Sequence, residues 1–410
     1  MRDQILISFV VPVHNREDTL RACMKSLLDS KWRNFEIILV DDASTDTSPA
    51  LCDCYAEQYS FIQSIHLSEN RGPGAARNCG IAQATGKWIF FLDSDDLVCT
   101  ENLQNIVTQI KELPDNVDLI AVDNIDELNG KTWDFPYFQK FALLTSQEFY
   151  SHHAMRLCSP LWCYIFRRDY IARHHLQLPP LYIYEDTTFM LKYCQWLTTV
   201  ACIPGSFYRY RARVSNNSLV AQSHISFPLA GFTCYIKTLC AFIKKADKEG
   251  DFIRKKIYTQ HLINYSLEIP RLLTQSPIQE QWDAGLPVLQ TDMPEEQEAI
   301  QLTKSILYRV LQQMDGKKCF LAPGNQTAAW LADYLADYNC EVLGVIDNHV
   351  RSVVTPQGRT IPVCTREDAG EICGCVPIYI VTNSYLRAKL EKYFYEHGMT
   401  VAHWMLKTSE

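Results

Sequence analysis

The sequence predicts an α/β protein in which two regions of alternating strands and helices flank a longer helical stretch. Three observations lead there. Short, continuously apolar runs such as ILISFVVPV at 5–13, FEIILV at 35–40 and WIFFL at 88–92 have the length of strands buried on both faces. The stretches between them place apolar residues at helical spacing, as with Leu20, Met24, Leu27 and Leu28. A chain of 410 residues also exceeds what one hydrophobic core ordinarily serves, so two or three folded units are expected.

Taken in order, the first strand (5–13) feeds a helix for which Asn15 is the expected cap. Strand 35–40 is followed by a helix from Pro49 with Ser48 as its cap, then strand 61–67, a helix from about Gly74, and strand 88–92. This alternation predicts a parallel sheet covered by helices on both faces, with ligands bound at the carboxyl ends of its strands. The region is assigned to residues 1–220. Residues 221–312 read as a helical linker, with Tyr235, Leu239, Phe242 and Ile243 on one stripe and lysines opposite, and with a proline- and acid-rich connector at 274–300. A small second α/β domain covers 313–410, from strands 317–322, 341–346 and 377–381 and a helix through Trp330 and Leu335.

Composition narrows the function. Hydrophobic residues make up 47% and charged ones 21%, the balance of a globular protein. A formal net charge of −8 argues against binding a nucleic-acid backbone, which calls for a dominant basic face. The sixteen cysteines are scattered through apolar segments, and the close pairs Cys52/Cys54 and Cys373/Cys375 lack the two-residue gap of zinc knuckles, so reduced core thiols are expected. No run of 18 apolar residues occurs, and Met1 to Ile5 leads directly into a strand, so a cytoplasmic protein is expected.

The chemistry-bearing residues fall at the strand ends. After WIFFL come Asp93, Ser94, Asp95 and Asp96, whose carboxylates at i and i+2 suit one hard cation, magnesium or manganese, with a diphosphate completing its shell. An EF-hand is excluded, because neither DSDDLV nor DDASTD supplies a twelve-residue loop with glycine at its sixth place. Asp41 and Asp42 follow the second strand, where a fixed acceptor can read a base N–H or a ribose hydroxyl; a helix cap is the competing reading. Residues 70–80 (NRGPGAARNCG) combine glycines with Arg71 and Arg77, either phosphate ligands or struts to the acidic loops.

VVPVHN, VDDAST, ENRGPGAARNCGI and FLDSDD, in this order and spacing, resemble the inverting family-two glycosyltransferases of the GT-A fold over roughly residues 5–215. The resemblance implies that Asp42 contacts the nucleobase, usually uracil, with Pro12, His14 and Asn15 shaping the same pocket. It makes Asp93 and Asp95 the DxD pair at ribose and metal, with Ser94 between them, Asp96 an adjoining metal ligand, and Arg77 the brace of this region. Asp186, beside Glu185, falls where the family places its general base. His14 stands where many relatives have tyrosine. The QxxRW motif of processive synthases is absent, which points to transfer of one sugar per encounter, and Trp162 lies on the expected acceptor side.

The C-terminal part resembles small Rossmann-like domains. Asp347 lies 23 residues after Gly324, but Ala322-Pro323-Gly324-Asn325-Gln326-Thr327 keeps only the central glycine of GxGxxG, so a structural or partner-binding role is expected there. Together these readings predict a metal-dependent inverting hexosyltransferase that takes a nucleotide-sugar, with UDP as the expected carrier, to a glycan or lipid-linked acceptor in cell-surface polysaccharide synthesis. A sugar nucleotidyltransferase and a non-catalytic nucleotide-sugar-binding protein are the alternatives. The lysines of 237–256 leave open a peripheral contact with the inner face of the cell membrane. The oligomeric state is not legible.

Overall fold

The computed structural model describes residues 5–128, 131–134, 138–153, 160–181, 184–212, 229–273, 312, 314–322, 324, 326–337, 339–355, 357–373, 376–380, 390 and 392–402. The chain divides into two compact units, Met1–His152 with Leu157–Leu219, and His153–Arg156 with Val220–Glu410.

In the first unit, β1 (Ile7–Val13), β2 (Phe35–Asp41), β3 (Ile62–His66) and β4 (Trp88–Phe91) lie parallel in the order β3-β2-β1-β4. Their crossovers run through α1 (Leu20–Leu28), α2 (Ser48–Gln58) and α3 (Pro73–Gln83). Every residue of β2 and all but one of β1 is buried, which is why these segments are continuously apolar instead of alternating. Helix α3 lies against β1 so closely that a Cβ on Gly80 would stand 2.3 Å from Val10 Cγ1. Glycine here is a packing requirement.

The caps differ from expectation. Helix α1 begins at Leu20 with Thr19 as its N-cap, and Asn15 instead adopts a positive φ of 51° and accepts the Thr45 amide on Oδ1. Ser48 is already helical; Asp46 Oδ1 accepts its amide, while Ser48 Oγ accepts the amide of Arg16. Both side chains thus tie the loop after β1 to the loop after β2, a long-range pairing that capping rules do not register.

Beyond β4 the sheet becomes mixed. The chain continues through β5 (Leu97–Val98), α4 (Thr100–Lys111), β6 (Leu119–Leu128), β7 (Lys131–Asp134), β8 (Ala142–Thr145) and α5 (Ser146–His153). It then passes a 3-10 turn at Leu161–Cys163, β9 (Tyr164–Arg167), α6 (Arg168–Arg173), α7 (Glu185–Tyr193) and β10 (Thr199–Ala212). The order extends as β4-β9-β6-β10-β5, with β9 antiparallel to β4 and β6, and β5 antiparallel to β10. Register shifts between Ile203 and Tyr208, around Gly205 with φ 105°, bend β10 where it reaches β5.

The second unit contains a helical hairpin, α8 (Leu229–Glu249) and α9 (Phe252–Leu273), then β11 (Lys318–Ala322), α10 (Gln326–Asp337), β12 (Glu341–Ile346), β13 (Val353–Val354), β14 (Thr360–Ile361), β15 (Val363–Cys364), α11 (Arg366–Cys373), β16 (Ile378–Ile380) and β17 (Val401–Ala402). Five strands form a parallel sheet in the order β15-β12-β11-β16-β17, and α9 packs against α10. The connector expected at 274–300 lies outside the described residues. No helix among the described residues is long and apolar enough to cross a membrane.

Candidate active site

The carboxyl ends of β1, β2 and β4, helix α3 and the N-terminus of α7 carry the expected site residues. Asp42 is 3% exposed, and its Oδ1 accepts the backbone amide of Arg71 at 2.8 Å. That fixes the carboxylate across the loop expected to face the nucleobase. His14 Nδ1 lies 2.8 Å from the Asp42 carbonyl, which can only accept, so this contact places the ring proton on Nδ1. Nε2 then accepts from the side-chain amides of Asn70 at 3.1 Å and Asn15 at 3.3 Å. Pro12 lies opposite Val40 in the β1–β2 register. The left-handed conformations of Asn15 and Ala43 mark two sharp turns beside Asp42, and for Ala43 that conformation costs about 1 kcal/mol or more.

Asp41, adjoining Asp42, faces elsewhere. Its Oδ1 accepts the Ser44 amide, and its Oδ2 meets His66 Nδ1 at 3.2 Å, so it braces the loop from within.

The four residues after β4 separate by role. Asp93 Oδ1 accepts from Arg77 at 2.8 Å, and the same guanidinium donates to Glu185 Oε1 at 2.7 Å. Ser94 is buried, with its carbonyl accepting from Thr19 Oγ1. The Asp95 carboxylate is 34% exposed and 3.6 Å from Arg16 Nε. Asp96 is 2% exposed and turned inward: Oδ2 accepts from Tyr208 Oη and Oδ1 from the Arg211 amide. Burial, followed by the charges of Asp95 and Asp93, raises the Asp96 pKa well above the usual carboxylate range. As a third metal ligand Asp96 is therefore poorly placed, because both of its oxygens already serve the β5–β10 junction. Arg211 also donates to the Asp95 carbonyl at 2.9 and 2.7 Å, closing the turn from the far side.

Tyr184 precedes α7 with φ 69°, and the tight turn presents Glu185 and Asp186 in the first helical turn, where the helix dipole favours acids. Glu185 is buried against Arg77, whereas Asp186 is partly buried with Oδ1 accepting the Thr187 amide. Burial raises both pKa values; in Glu185 the neighbouring Asp186 charge adds to this and Arg77 opposes it. Trp162 stacks on Tyr208 at 4.8 Å and on Tyr210 at 5.5 Å, so it is a packed part of the wall behind Asp96.

Five carboxylates (Asp93, Asp95, Asp96, Glu185, Asp186) thus share this region with three guanidinium groups (Arg16, Arg77, Arg211). Among the described residues no three carboxylate, thiol or imidazole side chains converge as an all-protein cage. Asp93 and Asp95 do supply two hard oxygen donors in one turn, the kind of set that holds magnesium or manganese jointly with water and a substrate diphosphate.

The second unit's Asp347 is differently engaged. Its Oδ2 accepts the Gly324 amide at 3.0 Å, and its Oδ1 accepts the amides of His349 and Val350.

The mixed sheet carries its acidic clusters at the ends of parallel strands, where α/β folds bind their ligands. The model of "Glycosyl transferase family 2" matches residues 8–168. The succinoglycan biosynthesis protein ExoO of Rhizobium meliloti is 30% identical over 245 residues, 56% of this chain and 68% of ExoO. The "Putative glycosyltransferase EpsH" of Bacillus subtilis is 29% identical over 267 residues, covering 64% of this chain and 75% of EpsH. Glycosyltransferase GlyG of Streptococcus pneumoniae is 34% identical over 151 residues, 36% of this chain and half of GlyG. In fold the chain is similar to S. aureus TarS 1–349, solved in complex with UDP, with a TM-score of 0.50, 19% identity, and coverage of 73% of this chain and 90% of that one. The chain belongs to glycosyltransferase family two, and it is a transferase with a GT-A-like catalytic fold.

Proposed function

We propose that the first unit transfers a single sugar, with inversion, from a UDP-sugar to a hydroxyl of a glycan or lipid-linked acceptor in surface-polysaccharide synthesis. The observation that carries this reading is the Arg77 bridge, 2.8 Å to Asp93 and 2.7 Å to Glu185, which joins the donor loop to the helix bearing Asp186. Asp42, with Pro12, His14 and Asn15 around it, receives the base; Asp93 and Asp95 lie at the ribose and diphosphate, with buried Ser94 shaping their turn. Asp93 and Asp95 are the residues that would hold a divalent cation, magnesium or manganese, which would supply electrostatic stabilisation of the departing phosphate.

Asp186 takes the proton of the acceptor hydroxyl, whose oxygen bonds to the anomeric carbon as the carbon–oxygen bond to the diphosphate breaks. A carboxyl pKa raised by burial suits this base, since proton transfer is most efficient when the pKa approaches the working pH. Glu185 is a positioning residue that orients Arg77. Asp96 positions the loop through Tyr208 and Arg211.

The test incubates the full chain with manganese and a panel of nucleotide-sugars and acceptor glycans, and follows release of free nucleotide for wild type, Asp95→Ala and Asp186→Asn. Asp186→Asn is expected to lose about 100- to 10,000-fold in rate. No turnover of any donor, or Asp95→Ala behaving as wild type, would refute the proposal. Donor binding without turnover would favour the non-catalytic reading, and release of diphosphate from a nucleoside triphosphate the nucleotidyltransferase reading.

A further inference from the structure

The α8–α9 hairpin has two unlike faces. At about 100° per residue, Tyr235, Leu239 and Ala246 share one side of α8 and are buried, while Lys237, Lys244, Lys245 and Lys248 fall in a sector of about 100° on the other. The hairpin turns at Gly250, φ 70°, and Asp251 caps α9 by accepting the Arg254 amide on Oδ1. Directly after that cap stands Phe252, 80% exposed at the first position of α9, with Lys256 one turn further on the same face.

The charge on this hairpin is not balanced. Residues 237–256 hold seven basic side chains (Lys237, Lys244, Lys245, Lys248, Arg254, Lys255, Lys256) and three acidic ones (Asp247, Glu249, Asp251), a surplus of four in a chain of net charge −8. The three acids pair locally, Asp247 with Lys255, Glu249 with Lys245 and Asp251 with Arg254. Lys244, Lys248 and Lys256 are exposed.

We propose that the tip of this hairpin docks on the surface of an anionic lipid bilayer, with Phe252 entering the headgroup boundary and Lys244, Lys248 and Lys256 facing lipid phosphates. A basic stripe alone would suit any acidic partner. The uncovered aromatic ring at the tip selects the membrane interface, where an apolar end is buried and long lysine side chains reach back to phosphate. The contact is independent of the transfer reaction, since none of these residues belongs to the acidic site.

Sedimentation of the full chain with phosphatidylcholine vesicles, alone or mixed equally with phosphatidylglycerol, tests this. Wild type is expected to sediment with the mixed vesicles only, and to be released as salt rises. Replacing Lys244, Lys248 and Lys256 together by Gln is expected to weaken binding by about 100-fold, at roughly five-fold per lysine, and Phe252→Ala by about tenfold. A control with Lys25, Lys31 and Lys111 replaced by Gln removes the same charge from the first unit and should bind within about twofold of wild type. Thermal unfolding of each variant verifies that these exposed changes leave the fold intact. Absence of sedimentation with the mixed vesicles, or an equal loss in the control, overturns the proposal. Binding unaffected by Phe252→Ala and abolished by soluble polyglutamate overturns it in favour of an acidic polypeptide. None of these outcomes alters nucleotide release, so failure here is distinguishable from failure of the transferase mechanism.

Discussion

Replacing Arg77 by Met should both loosen the site and silence it. The Arg77 and Glu185 side chains are 9% and 8% exposed, so removing the guanidinium strands a buried carboxylate, which costs about 3–5 kcal/mol. Asp93, at 30% exposure, can rehydrate, so its pairing with Arg77 is discounted to about 1 kcal/mol or less. For a unit of this size each kcal/mol lowers the melting temperature by about 2–4 °C, which gives a fall of roughly 6–20 °C. Calorimetry of the full chain measures it, and hydrogen exchange of the α7 amides supplies a local readout. The neutral pair Arg77→Met with Glu185→Gln should recover most of the stability, because two apolar or neutral groups of similar volume replace a buried ion pair at little cost. Transfer should stay lost in the double variant, since Asp93 and the Asp186 helix are no longer joined. A single variant within about 1 kcal/mol of wild type, or a double variant no more stable than the singles, would refute the bridge as the organising element.

Three further outcomes follow from the geometry. Tyr208→Phe leaves the buried Asp96 carboxylate without one donor and should cost about 1–3 kcal/mol by urea unfolding, with a smaller effect on donor affinity than Asp95→Ala. Gly80→Ala places a methyl 2.3 Å from Val10 Cγ1 and should destabilise the α3–β1 packing by about 1–3 kcal/mol, read as a lower melting temperature. His66 has a raised pKa, chiefly from its hydrogen bond to Asp53 and, against the opposing effect of burial, from Asp41. Its contribution is therefore fully present below the ordinary histidine value of about 6.5 and is lost as pH rises through the higher folded value. Hydrogen exchange in the 41–48 loop should accelerate across that window beyond the intrinsic pH trend in wild type but not in His66→Gln.

Much of the first unit was legible because its signals are local. The runs at 5–13, 35–40 and 88–92 are apolar throughout since helices cover both faces of those strands, and the acids after them mark strand ends directly. The antiparallel insertion of β9 and β5 was not legible: strand sequences carry no mark of direction when both neighbours lie far along the chain. The helix starts misled for a related reason, as Asn15 and Ser48 have the side chains of caps but spend them on each other's loops.

By itself the sequence determined which residues are acidic, that they follow strands, and that Asp42, the DSDD turn and Asp186 occur in the order that resembles family two. Tertiary structure decided what each acid does. Within DSDD, the three chemically identical aspartates diverge because β5 pairs with β10: Asp96 is drawn to Tyr208, 112 residues away, while Asp95 stays partly exposed. The same holds for Glu185 and Asp186, where Arg77, 108 residues before Glu185, takes one carboxylate while the other accepts the Thr187 amide. Such assignments depend on through-space pairing in a buried, low-dielectric setting, and no spacing rule along the chain encodes them.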